Sequence, residues 1–125
     1  MKFIKALSLS FIVALGMPAY AMTCYYSTHI DDDDLYNSSG KKLTTVGQIL
    51  RQDRTNLYTK AGENDHDGHD WDNCRLDIAK QRESLQRIID KAKISPTTKK
   101  TIKQGGGVPI RVEITKGVAS VHVIN

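Results

Sequence analysis

The stretch Val108-Pro109-Ile110-Arg111-Val112-Glu113-Ile114-Thr115 followed by Lys116-Gly117 and Val118-Ala119-Ser120-Val121-His122-Val123-Ile124 decides the fold class of this 125-residue chain. Val108, Ile110, Val112 and Ile114 alternate with Pro109, Arg111, Glu113 and Thr115, which is the period of a strand with one face buried. Lys116-Gly117 is a two-residue turn, and Ala119, Val121 and Val123 then share one face of the returning strand. His122 and Ser120 fall on the opposite face, which makes His122 a surface residue. A lone hairpin is marginal in water, so its apolar face needs other elements to pack against.

Upstream, Gly105-Gly106-Gly107 is a flexible connector. A glycine triplet cradles phosphate only ahead of a helix N-terminus, and here a strand follows. Before it, Ser95 as N-cap and Pro96 at the first position start a short helix, Pro96 to Gln104, that carries Lys99, Lys100 and Lys103. A longer helix is expected over Asp72 to Ile94. Ile78, Leu85, Ile88, Ile89 and Ala92 form its stripe, Trp71 and Cys74 extend the stripe backwards as a lid on the core, and Asp70 or Asp72 caps it.

A further helix spans Thr45 to Lys60. Thr45 and Gln48 fit a capping box, and Val46, Ile49, Leu50, Leu57 and Ala61 recur at helical spacing, with Asp53 interrupting the stripe. Arg51 and Arg54 lie three apart, the spacing of a clamp for a carboxylate or phosphate, but the favoured reading is solvated side chains pairing with Asp53 and other acids. Gly62 ends the helix. Thr23 to Ile30, aromatic and β-branched, is a strand with Cys24, Tyr26, Thr28 and Ile30 on one face. The four aspartates Asp31 to Asp34 follow as a solvated run, with ligands for the same cation as the 63–72 loop as the lesser alternative, and Asn37-Ser38-Ser39-Gly40 is turn chemistry within a short hairpin. The expected fold is therefore α+β: one small domain, with two main helices and a short third packed on an antiparallel sheet that includes the C-terminal hairpin.

Met1 to Ala21 is set apart from this fold. Lys2 and Lys5, an apolar run from Ala6 to Gly16 and the small-x-small Ala19-Tyr20-Ala21 form the pattern of a cleaved secretory signal peptide. The expected mature domain is 22–125, exported to a bacterial periplasm or beyond the cell, with no membrane-spanning segment. Only two cysteines exist, Cys24 and Cys74, and in an oxidising compartment they are expected to bridge. They do not form a Cys-x-x-Cys pair, which disfavours a thiol oxidoreductase. Charge is divided along the chain: residues 22–72 carry 5 basic and 10 acidic groups, and 73–125 carry 11 basic and 4 acidic. Such a dipolar chain steers the approach of partners more than it shapes the fold.

Between the two main helices lies Glu63-Asn64-Asp65-His66-Asp67-Gly68-His69-Asp70-Trp71-Asp72-Asn73-Cys74. Glu63, Asp65, Asp67 and Gly68 have the spacing of the first half of a calcium loop. The second half departs from it, since Cys74 stands where a bidentate Glu belongs, leaving Asp70 or Asp72 as substitutes. Calcium on Glu63, Asp65, Asp67 and Asp70 is one reading, and zinc with His66 and His69 is another. An acidic capping loop without a metal is the third.

The chain contains no Gly-x-Ser-x-Gly, no His-Glu-x-x-His and no phosphate loop, which leans against an enzyme. Its basic half lacks interleaved aromatics, which disfavours nucleic acid as a ligand. The expectation is a small exported, non-enzymatic binding protein acting on a protein partner, of inhibitor, immunity or accessory type. The alternatives are a metal-binding module built on the 63–72 loop, and a small secreted hydrolase or nuclease using His29, His66, His69 or His122.

Overall fold

A computed structural model describes residues 18–59 and 71–125. Within them the elements run β1 (Cys24–Ile30), α1 (Val46–Thr59), β2 (Trp71–Asp72), α2 (Ala79–Lys91), α3 (Pro96–Gln104), β3 (Val108–Thr115) and β4 (Val118–Val123), with 3-10 turns at Ala19–Ala21 and Asp32–Leu35. The strands form one antiparallel sheet in the order β2-β1-β3-β4. This is the small single-domain α+β architecture that the sequence predicts.

The C-terminal hairpin is as read. Lys116 and Gly117 both take positive φ, 49° and 77°, as a two-residue turn matched to strand twist requires. Gly117 also lies hard against the N-terminal turn: a Cβ there would stand 2.8 Å from Tyr20 Cα and 2.9 Å from Ala19 O. Ile110, Val112 and Ile114 of β3, Ala119 and Val121 of β4, and Tyr26 and Ile30 of β1 are buried on one side of the sheet. Ile49 and Leu50 of α1, Leu85, Ile88 and Ile89 of α2, and Ile102 of α3 complete the same core.

Local chemistry sets two of the helices. At α1, Gln48 N donates to Thr45 Oγ1 and Thr45 N to Gln48 Oε1, both at 3.1 Å, which is the capping box. At α3, Ser95 Oγ accepts from Thr98 N at 3.1 Å, Pro96 opens the helix and Gly105 closes it. Helix α1 crosses α2 closely because residue 47 has no side chain. Gly47 N donates to Asp90 Oδ1 at 3.1 Å, and a Cβ at Gly47 would overlap the Asp90 carboxylate and meet Gln86 O at 2.7 Å. The expected short hairpin around Asn37 is reduced to a single bridge, Tyr36 to Lys42.

Helix α2 departs from expectation. It begins at Ala79 and ends at Lys91, not at Asp72 and Ile94. Trp71 and Asp72 instead pair with Ser27 and Tyr26. Asn73 continues the ladder, its N–H donating to Tyr25 O at 3.3 Å and its side-chain oxygen accepting from Tyr25 N at 2.9 Å. Cys74 is bonded to Cys24 across a sequence separation of 50, with Cα atoms 5.1 Å apart. A backbone committed to β1 cannot also form a helix. The N-cap position of α2 is therefore Ile78, with no side-chain bond, and not the expected Asp70 or Asp72. Leu76, fully buried, anchors the segment between strand and helix, and Gln81 Nε2 and Arg82 Nη1 donate to the Cys74 and Leu76 carbonyls. Among the described residues no helix is long and apolar enough to cross a membrane.

Candidate functional site: an acidic turn, a buried charge cluster and a polar sheet face

Helix α1 buries Val46, Ile49 and Leu50, and the same helical row continues through Asp53 and Arg54. Both are inside, Arg54 at 0% exposure and Asp53 at 6%. The expectation of a solvated Arg54 is corrected here. Its Nε donates to Asp53 Oδ2 at 2.8 Å, and its guanidinium stands 4.7 Å from the centroid of the Tyr26 ring. Thr28, two residues along the same face of β1, donates its hydroxyl to Asp53 Oδ1 at 3.1 Å. Asp53 does not break the stripe; it brings its counter-charge with it, which is the condition for burying an ion. Arg51 is half-buried and donates to Gln86 Oε1 on α2 at 2.9 Å.

The acidic run forms a 3-10 turn over this cluster. Asp31, Asp32 and Asp33 are exposed, as expected of a charge run, but Asp34 is buried. Its Oδ2 accepts from Asp31 N at 2.9 Å, capping the turn, and its Oδ1 accepts from Asn56 Nδ2 at 2.8 Å. Burial, and secondarily the negative charge of Asp53, push the Asp34 carboxyl up to about 7; the Asp31 N–H and the Asn56 amide oppose that rise. Carboxylate oxygens of Asp31, Asp33 and Asp34 lie within 4.8 Å of one another. Both Asp34 oxygens are engaged, so the turn presents the exposed carboxylates of Asp31, Asp32 and Asp33 beside a fourth whose pKa is raised to near neutrality.

The residues expected to form a metal loop, Glu63, Asp65, His66, Asp67, His69 and Asp70, lie outside the described residues. The flanking elements are α1, which carries Asp53 and Asn56, and β2, which pairs with β1. The expected Cys24–Cys74 bridge is present.

The other side of the sheet is polar. Register aligns Tyr25 with Glu113 and Ser120, and Ser27 with Arg111 and His122. Arg111, Glu113 and His122 are exposed, while Tyr25, Ser27 and His29 are half-buried. Arg111 Nε pairs with Glu113 Oε2 at 3.0 Å, and its guanidinium lies 5.4 Å over the Tyr25 ring. His122 is on the surface face as read; β3 separates it from His29. Sequence reading found each residue's face but not the Tyr25–Arg111 pair, because nothing local specifies which strand neighbours β1. The helical layer shows the opposite character to the acidic turn, with Lys91, Lys93, Lys99, Lys100 and Lys103 all exposed. No family model, no curated protein and no solved structure matches this chain.

Proposed function

We propose that this chain is an exported, non-enzymatic binding protein of periplasmic or secreted type that acts on a protein partner, as an inhibitor, immunity or accessory factor. The observation that carries the reading is the outer sheet face, where Arg111 is held between the Tyr25 ring and Glu113. Tyrosine and arginine are the residue types that concentrate in protein interfaces, and a side chain already held in place loses less entropy on binding. The Cys24–Cys74 bridge suits an oxidising compartment and stiffens β1, the strand that carries Tyr25. Exposed carboxylates of the acidic turn and exposed lysines of α2 and α3 offer charges of both signs that steer encounter.

The test is capture from the native exported fraction, followed by calorimetry with the captured protein. A partner whose affinity falls by about tenfold or more with Arg111→Glu, at an unchanged melting temperature, supports the reading. Equal binding by Arg111→Glu counts against it. So does hydrolysis of nucleic acid or peptidoglycan by the wild type that is lost in His29→Ala or His122→Ala.

A further inference from the structure

Strand β4 is an edge. Among the described residues β3 is its only paired strand. Folded proteins commonly blunt such edges with lysine, proline or a bulge. Val118–Val123 has none of these: it holds no charged residue and no proline, and its register to β3 runs unbroken from Val118 to Val123.

The side of β4 away from β3 has a defined hydrogen-bonding phase. Ile124 N donates to Pro109 O at 2.9 Å. Hydrogen-bonded pairs alternate along an antiparallel ladder. Val118, Ser120 and His122 therefore turn their N–H and C=O groups toward β3, and Ala119, Val121 and Val123 turn theirs away from it. Two of the exposed large apolar side chains, Val118 at 71% and Ile124 at 41%, bracket the strand on its outer face.

We propose that β4 pairs antiparallel with β4 of a second copy of this chain, across a two-fold axis at Val121. A two-fold axis normal to the sheet keeps both helical layers on one side only where residues of like facing stand opposite each other. With the axis at Val121, Val121 meets itself and Ala119 meets the second copy's Val123, and all of these carry outward backbone groups. Ser120 meets the second copy's His122. Val118 meets the second copy's Ile124, so the two exposed apolar side chains cover each other. An axis at Ser120 leaves Val123 and Ile124 unpaired, and an axis at His122 leaves Val118 uncovered. The strand is self-complementary in this register and carries no charge to oppose it, which selects a second copy over a different chain. The pairing joins two four-stranded sheets edge to edge and makes the two outer faces continuous. It stands independently of the partner proposed above.

Sedimentation equilibrium of the exported protein, from micromolar to millimolar, reads the association. A monomer–dimer equilibrium is expected. Val118→Lys/Ile124→Lys sets like charges opposite each other and weakens the dimer on the order of tenfold or more. Val118→Lys/Ile124→Glu sets opposite charges there and restores it. Both positions are exposed, and melting temperatures check that the fold is kept. Ala119→Pro, which removes an outward N–H without touching the β3 ladder, also abolishes the dimer. A monomer throughout the range overturns the proposal. A dimer indifferent to the Lys/Lys pair, or two double variants equally weak, overturns it as well.

Discussion

Asn56 donates its side-chain amide to Asp34 Oδ1 at 2.8 Å, across 22 positions of chain. That one bond ties the acidic turn after β1 to the helix that carries Asp53 and Arg54. It makes the charge state of a surface-looking aspartate run a property of the core.

Asp34 gives a pH dependence whose sign is set by burial. Its carboxyl stands at about 7 in the fold against the ordinary 3.8. The folded state thus binds the proton more tightly than the unfolded chain between those values. Stability from this group is complete at acid pH and is lost as pH rises through about 7, with a ceiling of about 4 kcal/mol. Melting temperature is expected to be higher at pH 5 than at pH 8. Asp34→Asn, whose oxygen accepts from Asp31 N while a flipped Asn56 amide accepts from its nitrogen, flattens that profile. An Asn variant with the wild-type slope contradicts the assignment.

Asp53 neutralises an arginine with no exposure to solvent. Asp53→Ala leaves the Arg54 charge buried without its carboxylate and is expected to cost about 3–5 kcal/mol in urea unfolding. Asp53→Leu combined with Arg54→Met removes both charges and recovers most of that loss. A single variant within about 1 kcal/mol of wild type would show that the pair is not the buried counter-charge seen here.

Gly47→Ala sets helix propensity against packing. Alanine favours the helix by about 1 kcal/mol, but its Cβ meets Asp90 and the Gln86 carbonyl. Overpacking of this kind typically costs about 1–3 kcal/mol. The Asp90 side chain can swing away; the Gln86 backbone can move only with α2. A net loss of stability is expected, read as a lower urea midpoint with an unchanged slope. A gain would mean that α1 and α2 separate freely.

Removing the bridge with Cys24→Ala/Cys74→Ala is expected to cost about 2–4 kcal/mol. The loss is not spread evenly. Hydrogen exchange should quicken at Tyr25 and Asn73, whose amides join β1 to the segment after β2. It should stay slow in the hairpin, which has its own ladder. Equal loss in both places would make the bridge a global rather than a local tie.

Export with cleavage after Ala21 predicts a mature N-terminus at Met22. Cleavage there removes Ala19 and Tyr20 from Gly117 but leaves buried Met22, whose carbonyl accepts from Gly117 N at 2.9 Å. Intact mass of the exported protein checks the site, and a product that retains Met1 refutes it.

What the sequence determined by itself is whatever near neighbours decide. The period-two alternation with Lys116-Gly117 specifies the hairpin, because strand twist and positive φ are local demands. Thr45 with Gln48, and Ser95-Pro96 with Gly105, specify two helices through their own backbone caps. Two cysteines behind an export pattern were enough to pair Cys24 with Cys74. Tertiary structure alone decided the start of α2, because the β1 ladder and the bridge claim residues 71–74 before the helical pattern can use them. It also decided that Asp34 and Arg54 go inside. The helical row made Arg54's position legible, since residues 46, 49, 50, 53 and 54 share one face, but its charge argued for water. A buried polar group needs partners. Arg54 has its counter-charge next to it in Asp53, but the Tyr26 ring over Arg54, the Thr28 hydroxyl on Asp53 and the Asn56 amide on Asp34 are brought together only by the fold.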